Sequence, residues 1–170
     1  MFKPRFFYTI GLWLLLPYIL FHLLWRARKQ REYLDHIGER FGKYTLTPTL
    51  MEPLAIRLSP QADKSLVISQ GEREFVQKPV IWLHTVSVGE TRAAATLVQR
   101  LRERYPDYQI LLTHTTPTGR AASEQLYGDD VIRVYLPYDY PFAVRRFLHH
   151  FQPRVGVLLE TEVWFNLAHA

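Results

Sequence analysis

The chain has 170 residues, a net charge of +5 and no cysteine. Its length is enough for one domain with a real core, and the lack of thiols excludes disulfides, zinc–thiolate sites and cysteine nucleophiles. The basic excess suits an anionic partner, such as a phospholipid surface or a phosphorylated substrate, although a soluble protein with a basic surface has the same composition.

Residues 1–28 are predicted to form a membrane anchor. Residues 6–24 contain no Asp, Glu, Lys or Arg, and these 19 residues approach the ~20 that a helix needs to cross a bilayer. A cleaved signal peptide is disfavoured, because the apolar run is long and no small-x-small cleavage site follows it. A spanning helix and a helix lying in the plane of the membrane are equal alternatives. The positive-inside rule places the downstream domain in the cytoplasm because a basic cluster follows: Arg26, Arg28, Lys29 and Arg31.

Residues 29–78 are predicted to be a polar helix followed by an inserted loop. The helix is expected to end near Gly38, and Gly38 and Gly42 then mark a turn. Residues 45–78 contain three prolines, mixed charges and no steady period. They indicate an exposed loop, with a short hairpin near residues 66–68.

Strands and helices alternate in residues 79–170. The predicted strands are Val80–His84, Tyr108–Thr113, Val131–Leu136 and Val155–Leu159, and the predicted helices are Glu90–Arg104, Pro117–Tyr127, Pro141–Phe151 and one that begins at Trp164. Thr116 is expected to cap the second helix, with Pro117 at its first position. Alternation with continuous apolar strands predicts an α/β domain, a parallel sheet with helices on both faces. Because the pattern stops one turn into a helix, we expect a longer protein that continues beyond this incomplete domain.

The turn after the first strand holds the first candidate catalytic residue. Ser87-Val88-Gly89-Glu90 joins a strand to a helix and so lies at the sheet edge where open α/β folds bind ligands. The small residues at 87 and 89 allow a ligand to approach the backbone. Glu90 is a candidate general base, although a first-turn glutamate that only complements the helix dipole is the commoner case. Ser87 is a ligand donor or a helix cap.

The later strands end in further candidates. Glu160 ends an apolar strand, where an ionised group is costly without a partner or a role, so functional and structural roles are equally expected. Glu162 is interpreted as a helix cap, and His114 as structural. Hydroxyls, backbone N–H groups and carboxylates on one edge suit a sugar or phosphate ligand. The sequence has no dinucleotide-binding glycine motif, no P-loop and no pattern of a nucleic-acid surface.

Taken together, these motifs resemble the N-terminal half of the 3-deoxy-D-manno-octulosonic acid (Kdo) transferases of lipopolysaccharide synthesis. The resemblance covers residues 1–44 and 79–170, so residues 45–78 look like an insertion. Phe165 stands where the family normally has proline. The matching segments are Gly38–Gly42, His84–Glu90, Thr115–Gly119, Val134–Asp139 and Glu160–Trp164.

The resemblance implies a GT-B fold, in which two Rossmann-like domains face a cleft. The N-terminal domain would bind the acceptor, the lipid A precursor lipid IVA, and a C-terminal domain would bind the donor CMP-Kdo. Transfer would invert the anomeric centre without a metal or cofactor. The protein would belong to the bacterial inner membrane, with its catalytic domain on the cytoplasmic face.

Site residues follow from the same resemblance. Glu90 would be the general base, and Glu160 would stabilise the transition state. For Arg40 and Lys43, a solvated surface position is an equal alternative to contact with acceptor phosphates. The residues expected to bind the acceptor are Ser87, Gly89, Arg40 and Thr116.

Two other functions remain open. If Ala170 is the natural C-terminus, the chain would be a truncated, non-catalytic, membrane-tethered module that binds glycolipid. A GT-B enzyme that acts on a different acceptor is disfavoured by the paired Ser-Val-Gly-Glu and Glu-Thr-Glu-Val-Trp motifs.

Overall fold

The computed structural model describes residues 4–45, 78–159 and 164–170. The inserted loop with its predicted hairpin, and the candidates Glu160 and Glu162, lie outside the described residues. The described strands are β1 Val80–His84, β2 Gln109–His114, β3 Ile132–Tyr135 and β4 Pro153–Leu158. They form one parallel sheet in the order β3-β2-β1-β4.

Six α-helices are described around this sheet: α1 Pro4–Ala27, α2 Val88–Ala93, α3 Ala95–Arg104, α4 Pro117–Tyr127, α5 Pro141–Phe151 and α6 Phe165–Ala168. The helix predicted from Glu90 to Arg104 is therefore two helices that meet at Ala94. Thr116 caps α4 as predicted, since its hydroxyl accepts the Gly119 backbone N–H at 3.1 Å.

The polar helix predicted after residue 29 is wrong. Two short 3-10 turns, Arg31–Tyr33 and Glu39–Phe41, stand in its place. His36 has φ +55° and Gly42 has φ +76°, and a residue with positive φ interrupts a right-handed helix. A third 3-10 turn, Gly128–Asp130, follows α4.

Each face of the sheet has its own buried core. On one face, Trp82 of β1 packs with Phe147 of α5. On the other face, Leu83 of β1 packs with Val98 of α3 and Tyr127 of α4. Adjacent strand residues point to opposite faces, so two helical layers bury both sides of β1. The predicted α/β class, with helices on both faces of a parallel sheet, is confirmed.

β4 differs from β1 and β2 because most of its side chains are exposed. Among the described strands it pairs with β1 alone. Gly156 of β4 lies directly under Trp82, and a Cβ there would stand 2.5 Å from Trp82 Cε3. The indole of Trp82 thus covers β4 because position 156 has no side chain.

Candidate functional site

The turn after β1 directs the Glu90 carboxylate back toward Ser87. The Ser87 backbone N–H donates to Glu90 Oε2 at 2.8 Å, and the Ser87 hydroxyl donates to the same oxygen. This is a capping box at the start of α2. The hydrogen bond from the Ser87 hydroxyl, with smaller contributions from backbone hydrogen bonds, holds the pKa of Glu90 below its ordinary value. Glu90 is half-buried and Gly89 is exposed, so the carboxylate combines a capping role with access to solvent.

The turn after β2 packs directly on the first turn. Thr116 Oγ1 donates to the Val86 carbonyl at 3.1 Å. A Cβ on Gly119 would stand 3.0 Å from the same carbonyl oxygen and 3.4 Å from the Ser87 carbonyl carbon. Gly119 therefore allows the first turn of α4 to pack closely against the turn that carries Ser87 and Glu90.

Arg40 lies buried beside these turns, with 3% of its surface exposed. Its Nη2 donates to the Thr115 carbonyl at 3.0 Å, and its guanidinium carbon stands 4.1 Å from the centre of the Tyr135 ring. Its Nε is buried without a hydrogen-bond partner among the described residues. The solvated surface alternative for Arg40 is thus wrong, whereas Lys43 is exposed.

A cavity of about 330 Å³ separates α1 from the carboxyl edge of the sheet. Both walls carry cationic, polar and apolar groups. This lining suits an anionic, amphiphilic ligand. Ser87, Gly89 and Glu90 lie on the turn that begins at Val86, beside the cavity and outside its wall. From α1 the wall includes Tyr18, Ile19, His22, Leu23 and Arg26, and from the domain it includes Arg40, Val86, Thr115, Thr116, Tyr138 and Trp164.

The sequence analysis missed Glu39, the residue that holds Arg40 in place. The Glu39 carboxylate accepts from Arg120 at 2.8 Å and from the Tyr135 backbone N–H at 2.7 Å. Glu39 thereby fastens its 3-10 turn, and Arg40 with it, to the end of β3. The Gly-Glu-Arg-Phe-Gly motif was a signal that this glutamate has a role. Its partners are 81 and 96 residues away in sequence, so the motif alone does not identify them.

Two buried histidines join the ends of β1 and β2. His84 Nδ1 lies 2.9 Å from Thr113 Oγ1, and His114 Nδ1 lies 3.0 Å from Thr85 Oγ1. Burial lowers the pKa of both histidines to about 4, so both are neutral at pH 7. The sequence signal for these contacts was the His-Thr dipeptide that occurs at the end of both strands, His84-Thr85 and His114-Thr115.

The His–Thr contacts lead directly to the turn that carries Glu90. Thr85 Oγ1 stands 3.1 Å from Thr91 Oγ1, whose hydroxyl donates to the Ser87 carbonyl at 2.7 Å. These side-chain hydrogen bonds therefore run without a break from His114 through Thr85 and Thr91 to Ser87. They fix both ends of the turn. In the described segments, no group of three or more His, Asp or Glu side chains could hold a metal.

Glu160 itself lies outside the described residues, but the backbone before it is positioned. The Leu159 N–H donates to the His84 carbonyl at 3.0 Å. The segment that leads to Glu160 therefore starts beside the end of β1, where the turn carrying Ser87 and Glu90 also starts.

Comparison with known proteins identifies the family. The sequence profile of the family described as 3-Deoxy-D-manno-octulosonic-acid transferase (kdotransferase) matches residues 35–170. The chain belongs to the Kdo transferase family. The match includes the Arg40 turn and both turns beside the cavity.

Individual Kdo transferases show the same relationship. The chain is 54% identical to the 3-deoxy-D-manno-octulosonic acid transferase of Bordetella pertussis over 92 residues, which are 51% of this chain and 21% of that protein. It is 34% identical to the Haemophilus influenzae transferase over 165 residues, 97% of this chain and 33% of that protein. A probable mitochondrial transferase of Arabidopsis thaliana is 30% identical over 151 residues, 89% of this chain and 28% of that protein. The chain thus spans a third or less of the length of these relatives.

Proposed function

We propose that the full-length protein transfers Kdo from CMP-Kdo to lipid IVA in lipopolysaccharide synthesis, and that this chain is its acceptor-binding part. The observation that carries the proposal is the cavity beside the Ser87–Glu90 turn. An apolar helix forms one wall, and Arg40 with the Thr116 hydroxyl contributes to the other. A phosphorylated glycolipid has matching chemistry, because acyl chains fit the apolar wall and phosphates pair with guanidinium groups.

Arg40 would contact an acceptor phosphate through its buried guanidinium. One of its N–H groups already donates to Thr115, and the Tyr135 ring supports one face. The buried Nε without a partner leaves donor capacity for an anionic ligand. The Thr116 hydroxyl donates to the Val86 carbonyl, so it would accept a hydrogen bond from a sugar hydroxyl, while the exposed backbone at Gly89 and the Ser87 hydroxyl would bind the acceptor near the reacting group.

Glu90 would act as the general base. Its lowered pKa keeps it ionised at neutral pH, and an ionised carboxylate can accept a proton from the attacking hydroxyl. The hydroxyl oxygen would bond to the anomeric carbon of Kdo as the bond to the CMP phosphate breaks, which inverts the anomeric centre. The leaving phosphate is already a stable anion and needs no protein acid. Glu160 would stabilise the positive charge that develops on the sugar.

The donor would bind a second domain, in the part of the relatives that lies beyond the matched third, which completes a GT-B arrangement. The basic cluster after α1 would hold the protein on the cytoplasmic face of the bacterial inner membrane.

Kdo transfer from CMP-Kdo to a tetra-acylated lipid A precursor tests this function in the full-length protein. We expect Glu90→Gln to lower kcat by at least ~100-fold, the usual contribution of a general base, with acceptor binding retained. Glu124→Gln, an exposed glutamate of α4, is the matched control and should keep full activity. If the folded parent protein binds the acceptor but transfers nothing, the enzyme proposal fails and the glycolipid-binding module remains.

A further inference from the structure

The anchor helix α1 is fastened to the domain by polar contacts near its N-terminus. Arg5 Nε donates to Asn166 Oδ1 at 2.9 Å, and the Tyr8 hydroxyl donates to Asp139 Oδ2 at 2.9 Å. The Tyr140 hydroxyl donates to the Leu12 carbonyl at 2.8 Å. These three hydrogen bonds join the first half of α1 to α6 and to the segment between β3 and α5.

Further contacts lie in the middle and at the C-terminal end of α1. The Trp13 ring lies 5.1 Å from the Tyr140 ring, and Leu23 and Ala27 are buried. Positions 5, 8, 12, 23 and 27 fall on one helical face, because residues three or four apart are neighbours on a helix. At 1.5 Å per residue, Arg5 and Ala27 lie about 33 Å apart along α1, close to the ~30 Å thickness of a bilayer's hydrocarbon core, and the cavity lies beneath the stretch from Tyr18 to Arg26.

The opposite face of α1 is apolar and exposed. Leu14 is 78% exposed, and Phe7 and Phe21 exceed 60%. By length and composition α1 could cross a bilayer, and no other helix among the described residues could. The basic cluster at its C-terminal end complements anionic lipid headgroups. These features identify a lipid surface as the occupant of the exposed face, since α1 has no charged side chain between Arg5 and Arg26.

Docking of the N-terminal half of α1 on the domain that follows its C-terminal end is incompatible with crossing the membrane. If α1 crossed while docked, Asp139 and Asn166 would enter the hydrocarbon core together with Arg5. Asp139 is buried and also accepts the Asn166 and Leu167 backbone N–H groups, both at 2.9 Å. Ionisable and polar groups at that depth are costly. A helix that lies parallel to the surface keeps these contacts at the headgroup level and places only the apolar face in the lipid.

We propose that α1 is an in-plane anchor that stays docked on the domain while its exposed face enters one leaflet. The cavity between α1 and the sheet then opens at the level of the lipid headgroups. In the proposed function, this anchor would hold the acceptor cavity at a fixed depth in the membrane surface. The in-plane position of α1 does not depend on transferase activity, and the tests below measure no transfer.

Membrane topology is the first test. The chain has no cysteine, so single cysteines can be labelled cleanly with a membrane-impermeant maleimide. In inverted inner-membrane vesicles, which expose the cytoplasmic face, we expect Lys3→Cys and Gln30→Cys to be labelled equally. Labelling of Lys3→Cys only in right-side-out spheroplasts would mean that α1 crosses the membrane, and would overturn the proposal.

Cross-linking in the same vesicles tests whether α1 stays docked. The Trp13 and Phe142 ring centroids are 6.0 Å apart, so a short bismaleimide should cross-link Trp13→Cys with Phe142→Cys within one molecule. Leu14→Cys with Phe142→Cys is the matched control and should not, because Leu14 is on the exposed face. Equal cross-linking of both pairs, or none in the first pair, would contradict docking.

Lipid binding completes the test. The parent protein should float with vesicles of phosphatidylethanolamine and phosphatidylglycerol, and Leu14→Glu with Phe21→Glu should reduce the floated fraction at least tenfold. Unchanged flotation, or dimers cross-linked through Leu14→Cys, would show that the exposed face binds something other than lipid, and would overturn the proposal.

Discussion

The two buried histidines predict a specific loss of stability in mild acid. The pKa of His84 and of His114 falls from 6.5 to about 4 in the folded chain because burial disfavours the charged form. As the pH falls below 6.5, the unfolded chain binds protons that the folded chain does not. The stabilisation is therefore complete above pH 6.5 and is lost progressively as the pH falls toward 4.

The magnitude follows from these values. One pKa unit corresponds to about 1.4 kcal/mol, so each histidine contributes about 3 kcal/mol over the whole range. Between pH 7.5 and 5.5, the free energy of unfolding should fall by about 1 to 2 kcal/mol for each histidine and by roughly 3 kcal/mol for the pair. Most carboxylates remain ionised in that range, which isolates the histidine contribution.

Urea unfolding of the chain in detergent micelles, followed by tryptophan fluorescence at several pH values, measures this dependence. His84→Asn keeps a donor near the Nδ1 position but cannot titrate, so it should lower stability at every pH and remove about half of the pH dependence. His149→Asn, at an exposed position of α5, should leave the dependence unchanged. A pH dependence in His84→Asn equal to that of the parent would refute the reasoning.

Three further predictions concern single residues. Ser87→Ala removes a hydrogen bond that lowers the pKa of Glu90, so the acid limb of the pH profile of kcat/KM for Kdo transfer should move to higher pH. An acid limb that does not move would show that a group other than Glu90 determines it. Gly156→Ala places a methyl group against Trp82 and should lower the free energy of unfolding by about 1–3 kcal/mol, measured by urea unfolding, whereas an unchanged value would mean that the indole moves freely. Arg40→Lys loses the planar fork that binds phosphate and should raise the acceptor KM about tenfold with kcat unchanged; equal loss of activity toward an acceptor without phosphates would argue against phosphate contact.

The sequence predicted the elements that depend on local patterns. The strand ends lie within two residues of the predicted ones, and Pro117–Tyr127 and Pro141–Phe151 match their predicted bounds. Apolar runs and the Thr116–Pro117 start signal are sufficient for this, because they depend on neighbouring residues alone. The Ser87–Glu90 turn was found for the same reason.

Contacts between distant segments could not be predicted in this way. A solvated surface and a binding site were equally expected for Arg40. Its burial depends on contact with Tyr135 and on Glu39, whose own partners are distant in sequence. The turn at His36 was predicted as helix, since its positive φ has no signal in the sequence. The choice between a spanning and an in-plane α1 was equally open, because it depends on contacts with Asp139 and Asn166.

The long sequence separation in the α1 contacts has a consequence for synthesis of the protein. Asn166 follows Arg5 by 161 residues, and at roughly 5–20 residues per second the ribosome needs about 8–30 s to produce it. During that interval α1 has emerged but its docking surface does not exist. If α1 is the in-plane anchor proposed above, lipid would bind the exposed apolar helix before the domain folds. The order of events in time would then be capture, folding and docking, and the domain would assemble against a helix already in place.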